Sequence, residues 1–176
     1  MKFRIKLSTF EELKNYDSYL NWLNDPEVFK FLESNSRKSS VSDIQDYINL
    51  QKESGSIFLP VVYKSNNAHI GNLKIYNFNE QNNLKSCEYS RLIGDKLYWG
   101  KGLGYELGLL ALNYCFNILR VDIVEAGCVS SNVAAIKSNL KIGFRESHKI
   151  TKFLEQKNKA EEIIRFKILR SNFTYM

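Results

Sequence analysis

Three glycines, Gly100, Gly102 and Gly104, alternate within the stretch Tyr98-Trp99-Gly100-Lys101-Gly102-Leu103-Gly104-Tyr105-Glu106. The stretch separates an apolar, strand-like run that ends near Ile93 from an apolar, helix-like run over Leu103 to Leu119. Glycine lets the backbone take positive φ and lets a ligand come close. A turn of this kind opening a helix leaves several N–H groups unpaired and aimed one way. With the helix dipole they form a site for phosphate, and Lys101 adds positive charge inside the turn. The chemistry indicated is anion binding; a glycine-rich turn with no ligand is the plain alternative. Neither common nucleotide motif is present. Lys101 is followed by Gly102 rather than Ser or Thr, which a Walker loop needs. Leu107 stands where a dinucleotide fingerprint needs its third glycine, although Asp122 is acidic at a suitable distance.

Composition narrows the classes. At 176 residues and 44% apolar content the chain fits one domain with a full core. No run reaches the ~18 apolar residues of a membrane span. The opening Met1-Lys2-Phe3-Arg4-Ile5-Lys6 lacks the apolar centre of a signal peptide, so a cytoplasmic location is expected. Cys87, Cys115 and Cys128 show no paired spacing and read as reduced, partly buried thiols. His69 and His148 are the only histidines, and no metal site is expected. The net charge of +6 favours an anionic ligand. The basic residues are scattered, without the basic patch and module of a nucleic-acid binder, so neither nucleic acid nor membrane is an expected partner.

The elements that must position the glycine turn follow from periodicity. Phe3 to Leu7 alternates apolar and basic residues, a half-buried strand. Ser8 or Thr9 caps a helix with Leu13, Tyr16, Leu20 and Leu23 as its stripe, ended by Asn24-Asp25-Pro26. Residues 29–40 read as a loop or short helix. Ser42 is expected to cap a second helix, Asp43 to Glu53, with Ile44, Tyr47, Ile48 and Leu50 inward. Three strands follow, Ile57 to Tyr63, Ile70 to Phe78 and Leu84 to Ile93, the first carrying Pro60 as an edge or bulge signal. After the glycine turn, a helix carries two stripes: Leu103, Leu107, Leu110, Tyr114 and Ile118, and Tyr105, Leu109, Leu112, Phe116 and Leu119. So apolar a helix is buried on more than one side. Val121 to Val129 reads as an inner strand. Asn132 caps a helix with Val133, Ile136 and Leu140 inward, which Gly143 ends. Two strands, near Glu146 to Leu154 and Glu162 to Leu169, close the chain. The pattern is α/β (α+β): one domain over 1–176, a mixed sheet of about seven strands, mostly antiparallel, flanked by about four helices.

Three segments carry a resemblance to a known family. Trp22-Leu23-Asn24-Asp25-Pro26-Glu27-Val28, the turn Tyr98 to Gly104, and Asn132-Val133-Ala134-Ala135-Ile136 with Lys141-Ile142-Gly143-Phe144 resemble the GNAT superfamily of N-acetyltransferases. The likeness is to its branch of Rim-type protein N-terminal acetyltransferases. It extends over nearly the whole chain. It implies acetyl-CoA as cosubstrate and a primary amine as acceptor: a protein N-terminus, an amino sugar, a polyamine or an aminoglycoside. The cofactor-binding residues it implies are Trp99, Gly100, Lys101, Gly102, Leu103, Gly104 and Tyr105 at the pyrophosphate. Arg91, Leu92 and Ile93 would serve on a strand splayed from its neighbour, with Asn132 and Asn139 at the pantetheine arm. Trp99 takes the place of the family's Gln or Arg. Asn139 stands where many members carry a tyrosine that protonates the leaving thiolate. Ser138 or a water would replace that acid, or the thiolate would leave unaided. Homodimer formation stays open.

Acetyl transfer needs a neutral amine, and an alkylammonium has a pKa near 10, so a base or water chain must take the proton. Glu88 is the candidate base, with a salt bridge to Arg91 or Lys85 as its alternative role; Tyr89 and Ser90 share the stretch. Strand amides would polarise the thioester carbonyl. Trp22, Phe29, Phe31 and Arg37 are candidates for the acceptor wall. A non-catalytic CoA-binding sensor or scaffold is the alternative function.

Overall fold

A computed structural model describes residues 2–30, 32, 38–154 and 158–174. Its seven-stranded sheet runs β1 (Ile5–Leu7), β2 (Ile57–Tyr63), β3 (Ala68–Gln81), β4 (Leu84–Ile93), β5 (Ile123–Val129), β7 (Lys159–Leu169) and β6 (Arg145–Leu154) in spatial order. All neighbours are antiparallel except β4 and β5. The described helices are α1 (Asp17–Leu23), α2 (Pro26–Phe29), α3 (Val41–Glu53), α4 (Leu103–Asn113) and α5 (Val133–Ile142), one more than expected because Pro26 opens a short turn of its own. The expected class and strand count hold.

Pro60 explains itself in this frame. β1 pairs only with Val61 to Tyr63, and the β2 register shifts between Val61 and Val62. Pro60 therefore sits beside a bulge and just past the end of the short β1, where its missing N–H breaks no ladder. Its carbonyl still accepts from Ser8 N at 3.0 Å.

The sheet carries two cores. One, built on Leu73, Ile75, Tyr89, Val124, Phe166 and Ile168, packs α4 and α5 against one face; the other holds Phe10, Tyr19, Trp22, Val28, Ile44 and Ile48 beneath α1 and α3. Several expectations change here. The first helix is split into a 3₁₀ turn at Phe10–Glu12 and α1, because Thr9 and Glu12 form their own capping box and Asn15 Oδ1 then receives Asp17 N at 3.2 Å to start a new helix. The inward residues of α1 are Tyr19 and Trp22. α3 is capped by Ser40, not Ser42: Asp43 lies three residues on and receives the Ser40 N–H at 2.8 Å. Ile44, Ile48 and Gln51 face inward, whereas Tyr47 and Leu50 do not. α4 ends at Asn113 in a wider π turn over Tyr114–Ile118, which turns Ile118 out to solvent.

α4 also anchors the sheet's edge. Glu106, in its first turn and 2% exposed, accepts from the backbone N–H groups of Arg4 and Ile5 and from Arg4 Nε at 3.0 Å. Arg4 Nη2 donates to Lys101 O at 2.9 Å, so one charged cluster ties β1 to the glycine turn. Three donors offset the burial of this carboxylate, and removing it strands two backbone N–H groups. We expect Glu106→Ala to lower unfolding free energy by about 2 kcal/mol or more. Urea denaturation checks this; an unchanged midpoint would show that the clamp contributes nothing net.

Candidate active site

The site arises where the one parallel pair fails. β4 and β5 stay in register over only Ser86–Glu88 and Ile123–Glu125. Beyond that, Tyr89–Ile93 and Ala126–Val129 part, while each strand keeps its other neighbour. A cavity of about 610 Å³ occupies the parting, reached from α5 on one side and from α1 and α3 on the other. Strand alternation assigns its walls. Asn72, Lys74 and Tyr76 of β3, opposite Leu92, Ser90 and Glu88 of β4, line the α1–α3 side. Asn132, Ala135 and Asn139 line the α5 side.

The glycine turn follows directly on β4. Gly100 and Gly102 take φ of +71° and +76°, the left-handed region where a side chain is strained. Gly102 is the residue that opens α4. The first bond inside the helix is Glu106 N to Gly102 O at 3.1 Å, so the N–H groups of Leu103, Gly104 and Tyr105 precede the helical ladder and point out of its positive end. Trp99 Nε1 donates to Ile93 O at 2.7 Å and pins the turn to the end of β4. Lys101 Nζ lies 5.6 Å from the centre of the Tyr98 ring.

The structure places the remaining candidates as follows. Arg91 and Leu92 line the cavity and Ile93 stands just beyond it. Arg91 sends its guanidinium away into α5, donating to Tyr89 Oη and to Ser138 Oγ, the latter at 3.0 Å. Ser138 therefore supports Arg91 and is not on the cavity wall. Asn132 Oδ1 accepts from Ala135 N at 3.1 Å, the helix cap expected, and still faces the cavity. Asn139 is 3% exposed, and its Oδ1 has no donor among the described residues. The expected inner face of α5 was wrong in two of three positions: Val133 and Leu140 are exposed, and Asn139 and Ile142 are buried in their place. The inner face runs Asn132, Ala135, Ile136, Asn139 and Ile142, mixing core and cavity contacts, so a purely apolar stripe could not find it. Trp22 belongs to the core, its ring centre 4.8 Å from that of His69, and Phe29 stands off the cavity. Phe31 and Arg37 lie outside the described residues. Cys87 is buried and its thiol donates towards Cys115 Sγ at 3.8 Å, a poor setting for a nucleophile. Burial pushes the Cys128 thiol, on the cavity wall, up to about 11.

Glu88 is central, but neither Arg91 nor Lys85 is its partner. Its Oε1 receives Arg165 Nη1 at 2.7 Å and Tyr76 Oη at 2.8 Å, and its Oε2 receives Asn77 Nδ2 at 3.2 Å. The guanidinium reaches across β5 because Gly127 lies in between; a Cβ there would stand 2.9 Å from Arg165 Nη1. Burial raises the Glu88 carboxyl, but donation from Arg165 and then Tyr76 outweighs it, and the net pKa lies below the ordinary value. A lowered carboxyl pKa stabilises the fold at pH above the unfolded value, near 4.5, and that contribution is lost as pH falls through the lower folded value. Arg165, Tyr76 and Asn77 carry no motif in the sequence; Gly127 inside a strand was the one available signal. Among the described residues no group of three or more His, Cys, Asp or Glu is placed to hold a metal ion, and no helix is long and apolar enough to cross a membrane.

Comparison with known proteins fits this geometry. The fold matches an acetyltransferase of the GNAT family from Bacillus anthracis, with a TM-score of 0.78 and 21% identity over 97% of this chain and 98% of that one. It also matches a spermidine N-acetyltransferase from Vibrio cholerae in complex with CoA and spermine (TM-score 0.80, 19% identity, 96% and 97% covered). An aminoglycoside acetyltransferase in complex with coenzyme A aligns with a TM-score of 0.76 and 17% identity, over 97% and 96%. In sequence, an uncharacterized N-acetyltransferase, p20, of Bacillus licheniformis is 22% identical over 166 residues, 92% of this chain and 91% of its own. The three solved structures share the fold of this chain. A family model described as an acetyltransferase (GNAT) domain matches residues 4–145, and the chain belongs to that family.

Gly104 is the clean probe of the turn. Its φ is ordinary and a Cβ there would meet no protein atom within 4 Å, whereas Gly102 would be strained by any side chain. Gly104→Val should therefore fold normally and weaken acetyl-CoA binding tenfold or more by blocking the approach to the helix N–H groups. Titration calorimetry with unchanged affinity would place the phosphates elsewhere.

Proposed function

We propose that residues 1–176 act as one cytoplasmic N-acetyltransferase domain that moves the acetyl group of acetyl-CoA directly onto a primary amine. The observation that carries the reading is the parting of β4 from β5, with a cavity between them and an anion-ready helix start where β4 ends. The N–H groups from Lys101 to Tyr105 would hold the pyrophosphate, with Trp99 fixing the turn and Lys101 adding charge. The β4 segment Arg91–Ile93, which lacks a β5 partner, would offer its backbone to the pantetheine amides and to the thioester oxygen. Asn139 Oδ1, buried with no donor among the described residues, suits an N–H of the same arm. Acetyl-CoA supplies the activated acetyl group; the chain's residues hold, orient and move protons.

Glu88 is ionised at neutral pH and faces the acceptor side of the cavity. Handing it a proton from an ammonium of pKa near 10 is uphill, because the Glu88 carboxyl lies below even the ordinary carboxylate value. Glu88 therefore serves as a relay: it draws and orients the amine, and the proton passes on to water. Ser138 is engaged by Arg91, so water is the acid that meets the thiolate on this reading. The Rim-type likeness adds a protein N-terminus to the acceptor classes, beside the amino sugars, polyamines and aminoglycosides that the superfamily resemblance implies.

Glu88→Gln keeps the shape and removes the charge. At neutral pH we expect kcat/KM to fall by about 100-fold, the lower end of what general-base help provides. Acetyl-CoA affinity should change little, and the deficit should narrow as pH rises towards the amine's own pKa. Profiles that run parallel and less than tenfold apart would remove Glu88 from the proton path and leave it as Arg165's partner alone.

A further inference from the structure

The acceptor half of the cavity leaves no carboxylate open for a polycation. Among the described residues its wall holds the carboxylates Asp43 and Glu88 and the cations Lys74 and Arg165, with Arg91 turned to the α5 side. Glu88 is occupied by Arg165, Tyr76 and Asn77. Asp43 is occupied at the start of α3, where it receives Ser40 N at 2.8 Å and Ser40 Oγ at 2.6 Å. Neither is left over to receive a second ammonium. Two of the cations are likewise committed: Arg165 to Glu88 and, at 3.7 Å, to Glu125, and Arg91 to Tyr89 and Ser138.

Lys74 is different. It projects from β3 on the acceptor face, half-buried, opposite Ser90. Its Nζ stands 4.6 Å from the centre of the Tyr76 ring and 5.5 Å from that of Tyr47, and it donates to Tyr47 Oη at 3.3 Å. The Tyr76 ring and the Tyr47 hydroxyl hold the ammonium in place without neutralising it. Among the described residues no carboxylate lies within ion-pair distance of it. Tyr76, two residues further along β3, pairs with Glu88. A fixed cation with no carboxylate beside it among the described residues thus rises from a position two residues, about 7 Å of strand, before the one that pairs with Glu88.

We infer that the natural acceptor bears an anionic group, carboxylate or phosphate, a few bonds from its primary amine, and that Lys74 receives that group while Glu88 faces the amine. The inference rests on the acetyltransferase reading of this cavity and adds the acceptor's chemical class. Lys74 supplies a point charge and hydrogen-bond donors, which suit either anion. It also repels the second ammonium of a polyamine, which separates this chain from relatives named for spermidine.

The test is initial-rate kinetics with acetyl-CoA and matched acceptors: alanine against alaninamide, phosphoethanolamine against ethanolamine, and spermidine alone. The anionic member should exceed its neutral partner at least tenfold in kcat/KM in one pair or both, and which pair does so tells carboxylate from phosphate. Spermidine should be the poorer substrate, and the preference should shrink with added salt. Lys74→Met keeps the stem and removes the charge; it should raise KM for the favoured anionic acceptor at least tenfold and bring the ratio towards one, while Lys74→Arg restores it. A thermal melt and acetyl-CoA titration confirm that the variants are folded. An unchanged ratio in folded Lys74→Met, neutral acceptors equal to their anionic partners in both pairs, or spermidine as the best acceptor overturns the inference. Acetyl-CoA binding without turnover of any acceptor overturns it while leaving the cofactor site standing. Failure to bind acetyl-CoA overturns the reading beneath it.

Discussion

Parallel strands pair less comfortably than antiparallel ones, and this sheet contains a single parallel pair that it keeps for three residues a side. Everything that looks functional depends on that short pairing. Had β4 and β5 stayed together to their ends, the backbone of Arg91–Ile93 would be spent in the ladder and no cavity would exist between the cores. Because they part, two strand ends present hydrogen-bonding groups to a cavity between the cores. Each strand stays rigid through its outer neighbour, β3 for β4 and β7 for β5, so the gap is held open by the rest of the sheet.

The surroundings of the gap serve it from both sides. Glu106 fastens the start of α4 to β1, and Trp99 fastens the turn to β4, so the helix's positive end is fixed relative to the strand that leads into it. At the root of the parting, Gly127 gives Arg165 room to cross and hold Glu88 ionised. With Glu88 so engaged, Lys74 on the acceptor side has no carboxylate within ion-pair distance among the described residues. Backbone groups thus face one end of the cavity and side-chain charge the other, a division suited to a long cosubstrate and a small charged acceptor.

The strands and their order of appearance were legible because alternation and turn residues mark them locally. So were the glycine turn and the caps at Asn132 and Gly143, whose residue types state their backbone needs. Misreadings fell where tertiary context decides. The stripe Leu13-Tyr16-Leu20-Leu23 looked like one helix, yet two local caps, at Thr9 and Asn15, compete with it and win. Val133 and Leu140 looked inward because apolar residues usually are; the inner face of α5 instead combines Ile136 and Ile142 on the core with Asn132 and Asn139 at the cavity. Glu88 was visible as a candidate through its place before the turn, but Arg165 lies 77 residues away and meets it only through sheet pairing. No spacing rule reaches that far. Lys74 and Tyr76 escaped for a related reason: an i, i+2 pair in a strand reads as an ordinary polar face until something packs over it.

The central claim is that the parted strand ends and the glycine turn form one continuous binding surface for acetyl-CoA. Backbone amide hydrogen exchange, followed with and without CoA, tests it most directly. The account predicts slowed exchange at Lys101–Tyr105, at Arg91–Ile93 and on the facing Ala126–Val129 segment, with little change on β1, β6 and the far side of α4. Binding that protects none of these amides, or that protects the turn while leaving β4 unchanged, would contradict it.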